Sequence, residues 1–341
     1  MTTLMAAETA EAGARLAEAL GANESAVAAL AARLKALDPP LLATNARGSS
    51  DHAAAFAKFL VERELSLPCA SIGPSIASLY GKRMRLSGAA LLSISQSGRS
   101  PDIVAMQRAA RGAGALTIAL VNDETSPLAQ AAEVALPLHA GAERSVAATK
   151  SALLSMALAA AVVGAWAEDT ALTKALAELP GVLGANAPAP PETLVAPLTG
   201  AQSLYVVGRG ATLAIAAEAA LKLKETCALH AEAFSSAEVL HGPAGIIGPG
   251  FPVLAFMPQD EARQGTLQTL DSLASFGAAP LLVDTEAHAR WPTLVAPRTG
   301  HPALDAIAAL HAFYRLAEVL ARRRGRDPDA PPHLSKITQT V

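Results

Sequence analysis

Two stretches of this chain are built alike. Leu41 to Ala46 (LLATNA) is an apolar run of strand length that passes into Arg47-Gly48-Ser49-Ser50 and then into an alanine-rich helical pattern from Asp51 to Glu62. Ser203 to Val207 (SLYVV) passes in the same way into Gly208-Arg209-Gly210 and an alanine-rich pattern that reaches Glu225. The two Arg-Gly steps lie 162 residues apart, from Arg47 to Arg209. Later runs repeat at a similar offset: Ala89 to Ile94 is answered by Pro252 to Met257, and Ala115 to Val121 by Ala279 to Asp284. Duplication is the simplest account. Within each half, short apolar runs alternate with longer helical patterns. That alternation predicts an α/β fold of βαβ units, with a parallel sheet covered on both faces. Ligands of such sheets collect at the carboxyl ends of strands, where the topology reverses.

At 341 residues two domains are expected. The boundaries fall as a helical leader over 1–38, a first domain over 39–178, a proline- and glycine-rich linker over 179–198, a second domain over 199–325 and a tail over 326–341. A net charge of -3 offers no attraction for nucleic acid or an anionic membrane, and 4% aromatic residues give little for bases to stack on. The start of the chain lacks the pattern of a signal peptide. Its most hydrophobic segment, Ser151 to Ala167, is shorter than a bilayer span requires, so it is predicted to be a buried helix. Cys69 and Cys227 form no metal or redox motif, which fits a reducing cytoplasm. The eight histidines include no HxH or HxxxH pair, so no metal is predicted. Gly208-Arg209-Gly210 lacks the third glycine of a dinucleotide fingerprint and is taken as a tight strand-to-helix turn.

Ala89 to Ile94 ends abruptly in Ser95-Gln96-Ser97-Gly98, with Pro101 where the first turn of a helix would begin. A helix start offers free N–H groups and partial positive charge to an anion. The hydroxyls of Ser95, Ser97 and Ser100 and the amide of Gln96 add neutral donors. The bland alternative is a polar turn with a serine cap; a phosphate cradle without a P-loop lysine or metal is the sharper one. Further along, Lys222 and Glu225 of LKLKE are three apart and share a helix face, which on its own describes a surface ion pair. His241 is followed at once by Gly242-Pro243, a turn in which a histidine is more often structural than catalytic.

The order of these motifs is more specific than any one of them. RGSS, SQSG, VAATK (Val146 to Lys150), KLKE, AEAFSSAEVLHGP and a C-terminal LSK (Leu334 to Lys336) together resemble the sugar isomerase (SIS) family. In particular the chain resembles the isomerase half of glutamine:fructose-6-phosphate amidotransferase and its stand-alone relatives, the glucosamine-6-phosphate deaminases. The resemblance implies two tandem SIS domains, each a flavodoxin-like parallel-sheet sandwich, with the tail folded over the site. It assigns phosphate binding to Ser50, Ser95, Gln96, Ser97 and Ser100, and further substrate contacts to Ser49, Val146 and Ser335. Glu225 matches the proton-shuttling glutamate and Lys222 its neighbouring lysine. His241 matches the ring-opening histidine contributed by the partner of a homodimer, and Lys336 the lysine of the tail.

These residue types suit the chemistry. Moving between an amino aldose and a ketose passes one proton between C2 and C1, which a single carboxylate can carry as base and then acid. Histidine suits ring opening, and a lysine can offset charge developing on an enediol or enolamine. No cofactor is required. Two departures from the family pattern bear on the substrate: Arg99-Ser100 follow SQSG, and Glu143-Arg144-Ser145 precede Val146, where the family usually has Glu-Ile-Gly. Arg99 either adds charge beside the phosphate or points to solvent. An amidotransferase also needs a glutaminase domain of roughly 200 residues opened by a cysteine after Met, a nucleophile of the N-terminal type. Here Thr2 follows Met1. The expectation is therefore deamination of glucosamine 6-phosphate to fructose 6-phosphate and ammonia. A fructosamine-6-phosphate deglycase, a galactosamine-6-phosphate deaminase and a non-catalytic sugar-phosphate sensor are the alternatives.

Overall fold

The structure is a computed structural model that describes residues 2–185 and 189–336. In chain order its elements are α1 (Leu4–Ala10), α2 (Ala12–Leu37), β1 (Leu42–Asn45), α3 (Ser49–Leu65), β2 (Cys69–Ser71), α4 (Ser75–Ser78), β3 (Ala90–Ser95), α5 (Pro101–Gly112), β4 (Leu116–Val121), α6 (Pro127–Ala131) and β5 (Val134–Pro137). Then follow α7 (Lys150–Ala167), α8 (Thr170–Gly184), α9 (Glu192–Thr199), β6 (Ser203–Gly208), α10 (Ala211–Cys227), β7 (His230–Ser235), β8 (Phe251–Phe256), α11 (Arg263–Ser275), β9 (Ala278–Asp284), β10 (Thr293–Val295) and α12 (Pro302–Arg323).

The strands form two five-stranded sheets, β2-β1-β3-β4-β5 and β10-β9-β8-β6-β7. Every pairing is parallel. Read in the order in which their strands occur, both sheets have the flavodoxin-like sequence 2-1-3-4-5, so the expected duplication is one of topology as well as motif. The repeat extends to backbone angles. Gly48 sits before α3 at φ 56°, ψ -135°, and Gly210 before α10 at φ 59°, ψ -130°. Both are regions in which a Cβ is poorly tolerated, which explains glycine at each elbow. Both helices have 17 residues and stop on a left-handed cap, Ser66 in one and Ala228 in the other.

The chain divides into two compact units. Of the described residues, one holds 12–143, 150–180 and 335–336, and so carries the first sheet; the other holds 2–11, 144–149, 181–185 and 189–334, with the second sheet. In the first unit the three central strands β1, β3 and β4 are fully buried while the edge strands β2 and β5 are partly exposed, and the apolar helix α7 packs on α2 and α3 with most of its residues buried, a core helix as its length predicted. In the second unit Tyr205, Val207, Val253, Ala255 and Leu282 form one face of the sheet and pack with Leu270 and Leu273 of α11 and with Val239. Alternation sends Leu204, Val206 and Leu254 to the other face, where α10 and α12 run against each other.

The segment predicted as a linker is more helical than its prolines suggest. Helix α8 runs through Pro180 to Gly184, held by buried Leu179 and Leu183, and α9 contains Pro197. Burial of the leucines outweighs the hydrogen bond that each proline removes. Pro188 lies outside the described residues.

Candidate active site

In the first unit the elbow after β1 and the loop after β3 stand side by side at the carboxyl edge of the sheet, at its switch point. Ser49 and Ser50 occupy the first turn of α3, half-buried. Ser95 ends β3, and its Oγ accepts the Gly98 N–H at 3.1 Å, closing the turn. Gln96, Ser97 and Ser100 are half-buried around that turn, and Ser100 is the N-cap of α5 with Pro101 following, as predicted. Gly98 has φ +62°, and a Cβ there would lie 2.2 Å from Ser126 Oγ. The tightness of the loop therefore depends on glycine. Two helix starts, α3 and α5, face this place and lend it positive potential. Arg47 Nε and the buried Asp102 carboxylate join the two starts at 2.6 Å.

Electrostatics around the loops are moderated. Burial raises the Asp51 carboxyl above its usual range, against the opposing pull of His52 and Arg47, so negative charge beside Ser50 is disfavoured. Arg99 is engaged with Asp123 at 2.7 Å; hydrogen bonds from Thr125 and from Arg99 hold that carboxyl below its usual range. The sequence left Arg99 open, and its side chain reaches an exposed carboxylate.

From the loops a hydrogen-bonded path runs along the same edge. The Gln96 carbonyl accepts from Asn122 N at 3.2 Å, and the Asn122 side chain accepts from Ala140 N and donates to the Gly141 carbonyl. Two residues on, the Glu143 carboxylate accepts from Lys336 Nζ at 3.1 Å, while Lys150 Nζ donates to the Ala142 carbonyl at 2.7 Å. Lys336 thus lies on the edge that carries the serines. Ser335 beside it is exposed, and Ile337, which flanks it in sequence, lies outside the described residues. Val146 belongs to the other unit, where its N–H meets the Asp329 carbonyl.

The second unit holds the ionisable chain of α10. Lys222 is fully buried and ion-pairs with Glu225, and its Nζ stands 3.6 Å from Glu218. Glu218, also fully buried, accepts the Tyr314 hydroxyl of α12 at 3.1 Å. Of these side chains Glu225 alone reaches the surface, with 22% of its side chain exposed. The LKLKE spacing, which on its own describes a surface ion pair, is here the open end of a buried network. A carboxylate near a helix C-terminus is opposed by the helix dipole, and the Lys222 ammonium offsets that. Burying these charges is expensive, and removing one partner from such a set typically costs about 3–5 kcal/mol.

His241 stands elsewhere in this unit. It is exposed on a turn completed by Gly242 at φ +136°, and the following 3-10 turn, Pro243–Ile246, accepts the Tyr205 hydroxyl at 2.7 Å. Val239, Ala244 and Ile247 lay this segment on the Tyr205 face of the sheet. Helix α10 covers the other face. Within one chain the second sheet therefore separates His241 from Glu225.

Sequence reasoning missed Glu218, Tyr314, Asn122 and Asp102. Glu218 carried a signal, being four residues before Lys222 on the same helical face; the others are visible only in three dimensions. Neither cysteine is an activated nucleophile, because burial pushes the Cys69 thiol up to about 12 and the Cys227 thiol up to about 11.

The family model of the SIS domain matches residues 42–165 and again 197–296, one match on each sheet. The chain belongs to the SIS domain family. It is 32% identical over 317 residues to the glutamine--fructose-6-phosphate aminotransferase [isomerizing] of Bradyrhizobium diazoefficiens, covering 86% of this chain and 51% of that protein. A Rhizobium meliloti protein of the same name is 33% identical, with 87% and 52% covered. The chain thus spans about half the length of the curated relatives it matches. Among solved structures, a provisionally named phosphosugar isomerase from Silicibacter pomeroyi DSS-3 shares 44% identity at a TM-score of 0.91, covering 96% of this chain and all of that one. The glucosamine-6-phosphate deaminase of Thermotoga maritima shares the fold, at 18% identity and a TM-score of 0.78, with 99% and 100% covered.

Proposed function

We propose that this SIS protein is an enzyme that interconverts aldose and ketose forms of a phosphosugar, and that it releases ammonia from glucosamine 6-phosphate to give fructose 6-phosphate. One observation carries the reading. With α3 and α10 superposed by their elbows, Glu218, Lys222 and Glu225 occupy the positions of Phe56, Leu60 and Arg63. Phe56 and Leu60 are as fully buried as Glu218 and Lys222. The fold is satisfied by apolar side chains at these places, so the buried charges of α10 answer to something other than folding.

In this reading the phosphate is taken by Ser50, Ser95, Gln96, Ser97 and Ser100, with help from the two helix starts. Ser49, Val146 and Ser335 contact the rest of the sugar. Glu225, ion-paired with the buried Lys222, moves the proton between C2 and C1. Lys336 offsets charge on the enolamine, and hydrolysis of the ketose imine frees ammonia. His241 opens the ring. Its place across the second sheet from Glu225 supports a homodimer in which each copy lends its histidine to the other. The Thermotoga deaminase shares the fold on which this chemistry would be carried out, and two unpaired cysteines fit work in the cytoplasm.

The test is a panel of amino-sugar phosphates with coupled ammonia and fructose 6-phosphate detection. Turnover of glucosamine 6-phosphate is expected. Turnover of a fructosamine 6-phosphate or galactosamine 6-phosphate instead would redirect the substrate, and binding without any turnover would make the protein a sensor. Mixing Glu225→Gln with His241→Ala subunits, each inactive alone, should restore part of the activity.

A further inference from the structure

The Glu143 carboxylate is one of the most constrained acidic groups in the first unit. Its side chain is fully buried. One oxygen accepts the Ser151 N–H at 3.1 Å, and the other accepts the Ser151 hydroxyl at 2.6 Å and Lys336 Nζ at 3.1 Å. Ser151 lies in the first turn of α7, so its N–H is one that the helix itself leaves unpaired, and the helix dipole favours an anion there. The carboxylate is thus held from the α7 side independently of the lysine. Lys336 is the adaptable member: its side chain is 24% exposed and ends a flexible stem, in a segment whose neighbours His333, Leu334 and Ser335 are exposed.

We propose that Glu143 is a positioning residue for Lys336. It fixes the ammonium at the carboxyl edge of the first sheet, on the hydrogen-bonded path that begins at Gln96, so that the cation is in place before charge develops on the substrate. This rests on the reading of Lys336 given above. The division of labour is that Ser151 sets the carboxylate, the carboxylate sets the lysine, and only the lysine meets the sugar. Preorganisation of this kind works by removing the need to order a long side chain during the reaction. Glutamine at 143 would keep the shape and the Ser151 contacts but lose the charge that anchors the ammonium.

The experiment uses the full-length enzyme and its Glu143→Gln, Glu143→Asp, Ser151→Ala, Lys336→Met and Glu143→Gln/Lys336→Met variants. Steady-state kinetics on the turned-over substrate is combined with the acylation rate of Lys336 by an N-hydroxysuccinimide ester, read by peptide mass spectrometry. Glu143→Gln is expected to lower kcat about 10-fold or more with KM within about twofold, and to speed acylation of Lys336 several-fold. Glu143→Asp should recover part of kcat, and the double variant should be no slower than Lys336→Met alone. Wild-type kcat and wild-type acylation in Glu143→Gln, with Lys336→Met inactive, would overturn the role of Glu143 and leave the functional reading intact. Wild-type turnover by Lys336→Met would instead remove the lysine from the reaction, and this inference with it. If Glu143→Gln does not fold, Ser151→Ala decides: faster acylation of Lys336 supports the proposal, and an unchanged rate overturns it.

Discussion

Helices α3 and α10 occupy equivalent places in the two sheets, yet one has an apolar core face and the other an ionisable one. Phe56 and Leu60 stand where Glu218 and Lys222 stand, all four fully buried. The opposite contrast appears at the loops after β3 and β8. The first sheet presents Gln96-Ser97-Gly98-Arg99-Ser100, and the second presents Met257-Pro258-Gln259-Asp260 with the buried Asp284 tied to Arg263 at 2.8 Å. Each half has kept the frame and specialised a different part: loop donors suited to an anion in one, and a carboxylate–ammonium chain in the other. Where a repeated frame differs in chemistry at equally buried positions, packing cannot be the reason for the difference.

The largest effect that can break this contrast is on turnover. Glu225→Gln is expected to lower kcat by about 10²–10⁴ while leaving sugar-phosphate binding measurable by calorimetry. The equivalent Arg63→Gln should leave kcat within about twofold, and equal losses from both would end the assignment. Next comes stability. Lys222→Ala, which strands buried Glu218, should cost about 3–5 kcal/mol in urea unfolding. Giving α10 the character of α3, with Glu218→Leu and Lys222→Met together, should be neutral or stabilising by about 1–4 kcal/mol while abolishing turnover. A destabilised double variant would mean that the charges serve the fold after all.

Smaller still is Gly98→Ala, which forces a Cβ against Ser126 at a positive φ. A loss of about 1–3 kcal/mol and a raised KM are expected, seen by thermal melts and kinetics. The smallest effect is at Asp51, whose folded-state pKa is raised by burial. A carboxyl of that kind favours the fold while protonated and loses that contribution as the pH rises through its folded-state value. Asp51→Asn should therefore raise Tm at pH 7, and the advantage should shrink as the pH falls toward 3.8, the ordinary value of the group.

Much of this was legible in the sequence because it is local. The Arg-Gly elbows, the apolar strand runs and the Ser100-Pro101 helix start each fix backbone in a few residues, so the duplicated parallel sheets and the serine loop could be read directly. Burial was not legible. Lys222 and Glu225 three apart describe a face, but only the packing of α12 on α10 makes that face interior and brings Tyr314 to Glu218. The prolines at 180 and 197 misled for a related reason. Their local preference is to end helices, and the leucines around them are buried by contacts distant in sequence. The tie between Glu143 and Lys336 joins residues 193 positions apart, beyond any periodic signal.

Because α3 and α10 begin on the same elbow, have 17 residues each and stop on the same left-handed cap, either helix can be transplanted into the other's berth with its ends already matched. A chimaera carrying α3 twice would be a scaffold relieved of its reactive interior. Its melting curve, set beside that of the parent, would weigh what an enzyme gives up in folding to keep ions indoors.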